Sequence, residues 1–200
     1  NGLYTIDNQQ KNKSLEKIKD GAFSTLFKDT QQQVWAGGVD GLFIVKNEII
    51  EAVKPLNGII PKDIRSLTTT QDGVIWIAAY NQGIFLSDGD KLLRQLTVSD
   101  GLSSTKIKTL STTKNGDIWI GSADKGAMIW QAQTRNFKVI TTRQGLPNNN
   151  VQSIVEDSWG NIWLGTSGGG LSKYGGQQFE HFTKTEGLNG KYIYALETDK

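Results

Sequence analysis

The chain has 200 residues, 36% of them apolar, enough to bury a substantial core. Its 22 basic and 20 acidic residues are interspersed, leave a net charge of +2 and form no basic run, so nothing marks a nucleic-acid or anionic-membrane surface. The lack of cysteine excludes a disulfide framework and a thiolate metal site. No window approaches the roughly 18 continuous apolar residues of a membrane span, and the opening residues NGLYTID lack the basic and apolar regions of a signal peptide.

The first residues already belong to a repeat. NGLY at 1–4 aligns with DGLF at 40–43, QGIF at 82–85 and GGLS at 169–172, so the chain opens in the middle of a unit. Leu15 and Ile18 then supply an apolar pair, and the charged stretch QQKNKSLEKIK reads as a hairpin turn and a solvated outer strand.

Each later unit is keyed by a tryptophan. Trp35, Trp76, Trp119 and Trp163 follow one another at intervals of 41, 43 and 44 residues, in the band of roughly 40 to 50 residues expected of propeller blades. Twelve residues before each stands Phe23, Ile64, Ile107 or Val151, and nine before stands Leu26, Leu67, Leu110 or Ile154. Seven after comes Gly83, Gly126 or Gly170; in the first copy Gly41 follows by six, so one loop there is a residue shorter. Apolar pairs close the unit: Ile50 with Val53, Leu93 with Leu96, Phe137 with Ile140, and Phe179 with Phe182. A Gly plus apolar turn follows each pair, at Gly58, Gly101, Gly145 and Gly187, and Gly21 is a degenerate version.

These marks divide the chain into residues 1–20, the C-terminal strands of a partial blade; four full blades at 21–57, 58–100, 101–144 and 145–186; and 187–200, the first strand of a further blade, with Ile193 and Leu196 in the places of Val151 and Ile154. In the last full unit the strands are expected at 150–156, 161–166, 170–174 and 178–183, rich in Val, Ile, Trp, Tyr and Phe and joined by short Gly, Asn, Asp and Ser turns. Short connections imply antiparallel meanders, so the expected fold is an all-β propeller of four-stranded blades. The next tryptophan is due at position 205, so both ends fall inside blades and the expected fold is a fragment of a larger, seven-bladed propeller; a complete five-blade ring is the alternative.

The tryptophans are expected to fill the wedges between blades. The small residue two after each, Gly37, Ala78, Gly121 or Gly165, suits close approach by the next blade's backbone. Gly73, Gly116 and Gly160, three before, fall where a hairpin turn needs a positive φ. Gln32 occupies that place in the first unit, which predicts a longer or less regular turn there.

The pattern V-x-S-I-x-x-D-x-x-G-x-I-W-L-G-T-x-x-G-G-L-x-x-Y at 151–174 closely resembles the two-component regulator propeller repeat. The resemblance runs along the whole chain and is poorest at 21–45, where QQQVWAGGVDGLF lacks the turn glycine and the G-[ST] pair. It implies a signal-input role: the periplasmic or extracellular sensor region of a membrane-anchored bacterial hybrid histidine kinase, or of a diguanylate cyclase or transcription regulator. It further implies a small-molecule ligand, often a carbohydrate fragment such as an oligosaccharide, contact with other blades or a second propeller of the same receptor, and homodimerisation of the intact receptor. Nothing in the segment calls for a nucleic acid, membrane contact, a cofactor or a metal.

Catalysis finds no constellation. An Asp box would be tighter than the D-x-x-G-x-x-W of Asp157, Gly160 and Trp163, and of the four arginines only Arg65 falls near an inner strand. SGGGLSK at 167–173 lacks phosphate-loop spacing, SDGD at 87–90 reads as a hairpin turn, and His181 as an outer-strand residue rather than a phosphoacceptor. The competing reading is a protein-interaction propeller without small-molecule sensing, because fold does not fix function. For a ligand, the loops joining second to third strands and blade to blade reach one face and are polar there. Tyr80, Asn81, Asp124, Lys125, Asn148 and Asn149 are the candidate ligand-binding residues, drawn from a wider set that includes Asp40, Gln82, Ser104 and Tyr192.

Overall fold

The computed structural model describes residues 2–6, 15–46 and 49–198. Strands β1 (Gly2–Ile6) and β2 (Leu15–Asp20) form an antiparallel pair; residues 7–14 of the proposed hairpin lie outside the described residues. Four antiparallel meanders follow. The first holds β3 (Phe23–Lys28), β4 (Val34–Gly38), β5 (Gly41–Lys46) and β6 (Ile49–Ala52). The second holds β7 (Ile64–Thr69), β8 (Ile75–Ala79), β9 (Gly83–Ser87) and β10 (Leu92–Leu96). The third runs through β11 (Ile107–Thr112), β12 (Ile118–Ser122), β13 (Ala127–Gln131) and β14 (Asn136–Ile140). The last comprises β15 (Val151–Glu156), β16 (Ile162–Thr166), β17 (Gly170–Tyr174) and β18 (Phe179–Phe182), each within a residue of its expected bounds. First strands of successive sheets face one another, which makes the sheets the blades of a propeller with β3, β7, β11 and β15 innermost.

Three apolar clusters hold the blades together, each anchored by one tryptophan. Trp35 is fully buried with Ile64, Ile77 and Phe85 of the next blade. Trp76 packs with Ile107, Ile120 and Met128, and Trp119 with Val151, Ile162 and Leu164. Each indole therefore belongs to the interface ahead of its own sheet. Trp163 is only half-buried, and among the described residues no complete blade covers it. At the opposite end Leu26, expected in the register of Leu67 and Leu110, is 61% exposed; among the described residues the sheet preceding β3 holds β1 and β2.

At Gly37, Gly121 and Gly165 the small residue two after the tryptophan answers a side chain rather than a backbone. A methyl at Gly37 would meet Ile64 Cγ2 at 2.5 Å, and at Gly121 and Gly165 the obstructing groups include Val151 and Ile193. The β-branched residue opening the next blade thus keys into the gap. Ile193 takes this position as its register predicts, yet residues 187–198 form no strand. They make a single isolated bridge, between Ser167 and Tyr192.

The inner hairpin turns share one geometry. Gly73, Gly116 and Gly160 have φ of 86°, 89° and 86°. Gln32 sits at φ 65° in a turn of the same length, with the same pair of backbone hydrogen bonds, Asp29 N to Gln33 O and Gln32 N to Asp29 O. The irregular turn expected there is absent because Asp29 organises it, accepting from Gln31 N, Gln33 N and the Trp35 indole. Leu93 is likewise displaced: a register shift between Leu92 and Arg94 buries Leu92 and leaves Leu93 exposed.

Between blades the chain makes one turn of 3₁₀-helix, at Val98–Asp100, Thr142–Gln144 and Lys184–Glu186. Backbone N–H groups of Thr97, Thr141 and Thr183 donate to the side chains of Asp100, Gln144 and Glu186, a capping box that ends in Gly101, Gly145 or Gly187 at φ near 100°. The first unit has Lys54 where the threonine would stand and makes a tight turn instead, Leu56 bridging Ile59.

Candidate functional site

The loops after each second strand and the loops entering each blade are stitched into one belt on one face. Tyr80 N donates to Asp63 O, Ala123 N to Lys106 O, Gly126 N to Asn149 O and Ser167 N to Asn150 O. Backbone polarity here is consumed by the belt, so what the face offers outward is side chains.

Where the belt meets the innermost strands, polar side chains converge. Eleven residues before each tryptophan stands Ser24, Arg65, Lys108 or Gln152, on neighbouring first strands. Lys108 Nζ donates to Gln152 Oε1 at 3.0 Å across a blade boundary, and Gln152 Nε2 donates to Asn150 Oδ1 at 2.8 Å. Arg65 pairs with Asp63 at 2.8 Å and lies 5.3 Å from the centre of the Tyr80 ring. Burial, with the Arg65 guanidinium adding repulsion, pushes the Lys108 ammonium below its usual range. Ser104 and Lys106 converge on Asp124, at 2.7 and 3.3 Å. Burial raises that carboxyl, but the Ser104 and Lys106 hydrogen bonds and the Lys106 and Lys125 charges outweigh it and hold it low. The arrangement is rich in donors and amides, suited to hydroxyl or anionic groups.

The structure connects the sequence-chosen residues to this centre unevenly. Tyr80 stacks beside Arg65, and Asp124 closes the Ser104 and Lys106 cluster. Lys125 is exposed, its backbone N–H tied to Ser122. Asn81 takes φ 64° at a turn, Asn148 Oδ1 accepts from Asn150 N, and Asn149 Oδ1 from Thr142 N; these three amides shape loops. No hydrogen bond or ion pair joins one of the six directly to another among the described residues. Arg65, Lys108 and Gln152 escaped the loop-based choice. Their signal was a polar residue immediately after the apolar one that opens each blade. Gln82 carries another duty, clamping Lys62 N and Ile60 O.

Elsewhere, Asp88 accepts from Asp90 and Lys91 backbone N–H groups, which holds its carboxyl low and makes SDGD a hairpin turn. His181 shares Nδ1 with the Ser172 hydroxyl at 3.0 Å on an outer strand.

An antiparallel propeller keyed by one indole per blade is the class of protein this geometry defines. The family model described as two component regulator propeller matches residues 101–124 and 145–168. Among solved structures, the extracellular domain of BT4673 from B. thetaiotaomicron, assigned as a hybrid two component system, superposes with a TM-score of 0.77 at 16% identity, over 92% of this chain and 28% of that one. The corresponding domain of BT3049 from the same organism gives 0.72 at 21% identity, over 83% and 23%. The chain thus spans about a quarter of the length of these two. Virginiamycin B lyase from Staphylococcus aureus gives 0.69 at 12% identity, over 90% of this chain and 61% of the lyase. These likenesses establish the fold. No curated protein sequence matches the chain.

Proposed function

We propose that this propeller segment is the ligand-sensing part of a bacterial two-component signalling receptor, on the periplasmic or extracellular side of the membrane. It binds a small hydroxyl-rich ligand such as an oligosaccharide, has no catalytic role of its own, and passes the signal to an output domain elsewhere in the receptor. The supporting observation is the convergence of Arg65, Lys108, Gln152 and Tyr80 beside the belt, where donors and an aromatic face meet. The repeats matched at 101–124 and 145–168 favour a signalling context over the lyase chemistry of a fold neighbour.

A glycan-array screen of the purified chain tests the proposal. Binding of a defined oligosaccharide is expected, lost in Tyr80→Ala and Arg65→Gln without a change in thermal unfolding. No binding across the array, or binding indifferent to both substitutions, overturns it.

A further inference from the structure

A second cavity lies away from the belt, on the outer side of the interface between the second and third blades, with a volume of about 670 Å³. Cross-strand pairing builds one wall. Trp76, Leu86 and Arg94 stand opposite one another on β8, β9 and β10, so they form a row on the sheet face turned toward the next blade. The other wall is Trp130 of β13, its ring 5.9 Å from that of Trp76 and 4.8 Å from Phe137. Trp76, Leu86, Trp130 and Val74 make the apolar part of the lining, and Thr70, Gln71 and Asn115 of the hairpin turns make its polar end.

Charge sits only at the rim. Arg94 is engaged by Asp100, and the Asp72 carboxylate accepts the Thr70 hydroxyl. Arg135, on the turn between β13 and β14, has no carboxylate partner among the described residues, and it holds φ 54°, a conformation that glycine or asparagine adopts more readily. The corresponding cavity between the third and fourth blades measures about 260 Å³ and presents Lys138 against Glu156 and Asp117. There Tyr174 packs against Trp119, ring centres 5.4 Å apart, in place of the Trp130 pair.

We infer that the cavity between the second and third blades binds a flat ring bearing a carboxylate, the ring between Leu86 and Trp130 and the carboxylate on Arg135. The polar lining is already engaged, Thr70 with Asp72, Gln71 with Lys114 O and Asn115 with Asp117, so an aromatic ring is favoured over a sugar acid, and one guanidinium at the rim without a carboxylate partner among the described residues fits one carboxylate. The inference is independent of the ligand proposed for the belt face.

Titration calorimetry with 2-naphthoate, its neutral analogue 2-naphthylmethanol, and glucuronate tests it. The naphthoate is expected to bind at least tenfold more tightly than either of the others. Arg135→Gln, an exposed substitution, should remove that margin over the neutral ring, while Trp130→Ala should weaken both naphthyl probes. Tyr80→Ala should leave naphthoate binding unchanged. Absence of naphthoate binding, an Arg135→Gln variant that keeps the full margin, or tighter binding of glucuronate would overturn the assignment. Sensitivity to Tyr80→Ala would do so too, by moving the probe to the belt face.

Discussion

Trp35 and Trp163 make the same local bonds and end in different surroundings. Each indole N–H donates to the carboxylate six residues earlier, Asp29 or Asp157, at 2.8 Å. Each of those carboxylates also accepts two backbone N–H groups of its own hairpin. Trp35 is nonetheless fully buried beneath the second blade, whereas Trp163 rests on Phe182 of its own sheet with one side uncovered. The local motif positions an indole; the neighbouring blade converts it into stability. Trp35→Ala should therefore cost about 3 to 5 kcal/mol, the range for truncating a buried tryptophan, and Trp163→Ala less than half as much. Because stacked blades need not unfold together, amide exchange read blade by blade is the fitting measurement. Equal losses at both positions would place the contribution in the carboxylate bond and break the contrast.

The carboxylate bond has its own signature in pH. Burial raises the Asp157 carboxyl, but hydrogen bonds from Trp163, Asn161 and the backbone of Asn161 and Trp159 prevail and lower it from 3.8 to about 2. A depressed folded pKa means the stabilisation is fully present above the unfolded value and lost as pH falls through the folded one. Stability should fall between about pH 3.8 and 2, and in the chain that stays folded the Trp163 indole N–H resonance should shift with a midpoint at about pH 2 as its acceptor protonates. Asp157→Asn should abolish that titration. Trp119, in a hairpin capped by the Thr113 hydroxyl rather than a carboxylate, should show no counterpart.

The sequence shows where the indoles and turns fall but not this contrast, since all four tryptophans carry the same wedge-filling expectation. The spacing of the four tryptophans located the blades, and the glycines three before them located the turns. The register could not say which side of an interface an indole serves, since periodicity carries no direction; that required seeing Trp35 against Ile64 and Phe85. Nor could it choose between Leu92 and Leu93, because adjacent leucines are both plausible core residues until a register shift selects one. The candidate site was legible in its loops and not at its centre. Arg65, Lys108 and Gln152 sit on strands, where alternation marks them as outward-facing but not as convergent; convergence arises only when the first strands of separate repeats meet. The 3₁₀ turns were legible in principle, as T-x-x-[DQE]-G-L, and a search for strand periodicity passes over a single helical turn.

Gln32 gives the smallest effect and the finest test of what Asp29 does. Its turn matches those of Gly73, Gly116 and Gly160 in length and hydrogen bonding, so the left-handed conformation is imposed by the surrounding bonds rather than by the residue. Holding a non-glycine residue there costs on the order of 1 to 3 kcal/mol, and the greater freedom of glycine in the unfolded chain offsets roughly 0.5 to 1 of that on replacement. Gln32→Gly should therefore stabilise the first blade by about 1 kcal/mol, seen as slower amide exchange at Gln33 and Trp35. If Asp29 is what holds the turn in register, Asp29→Ala should loosen the hairpin, and the gain from glycine should then shrink, because the released turn no longer forces position 32 into the left-handed region. An unchanged gain in the double variant would mean that strand pairing between β3 and β4 dictates the turn without help from the carboxylate.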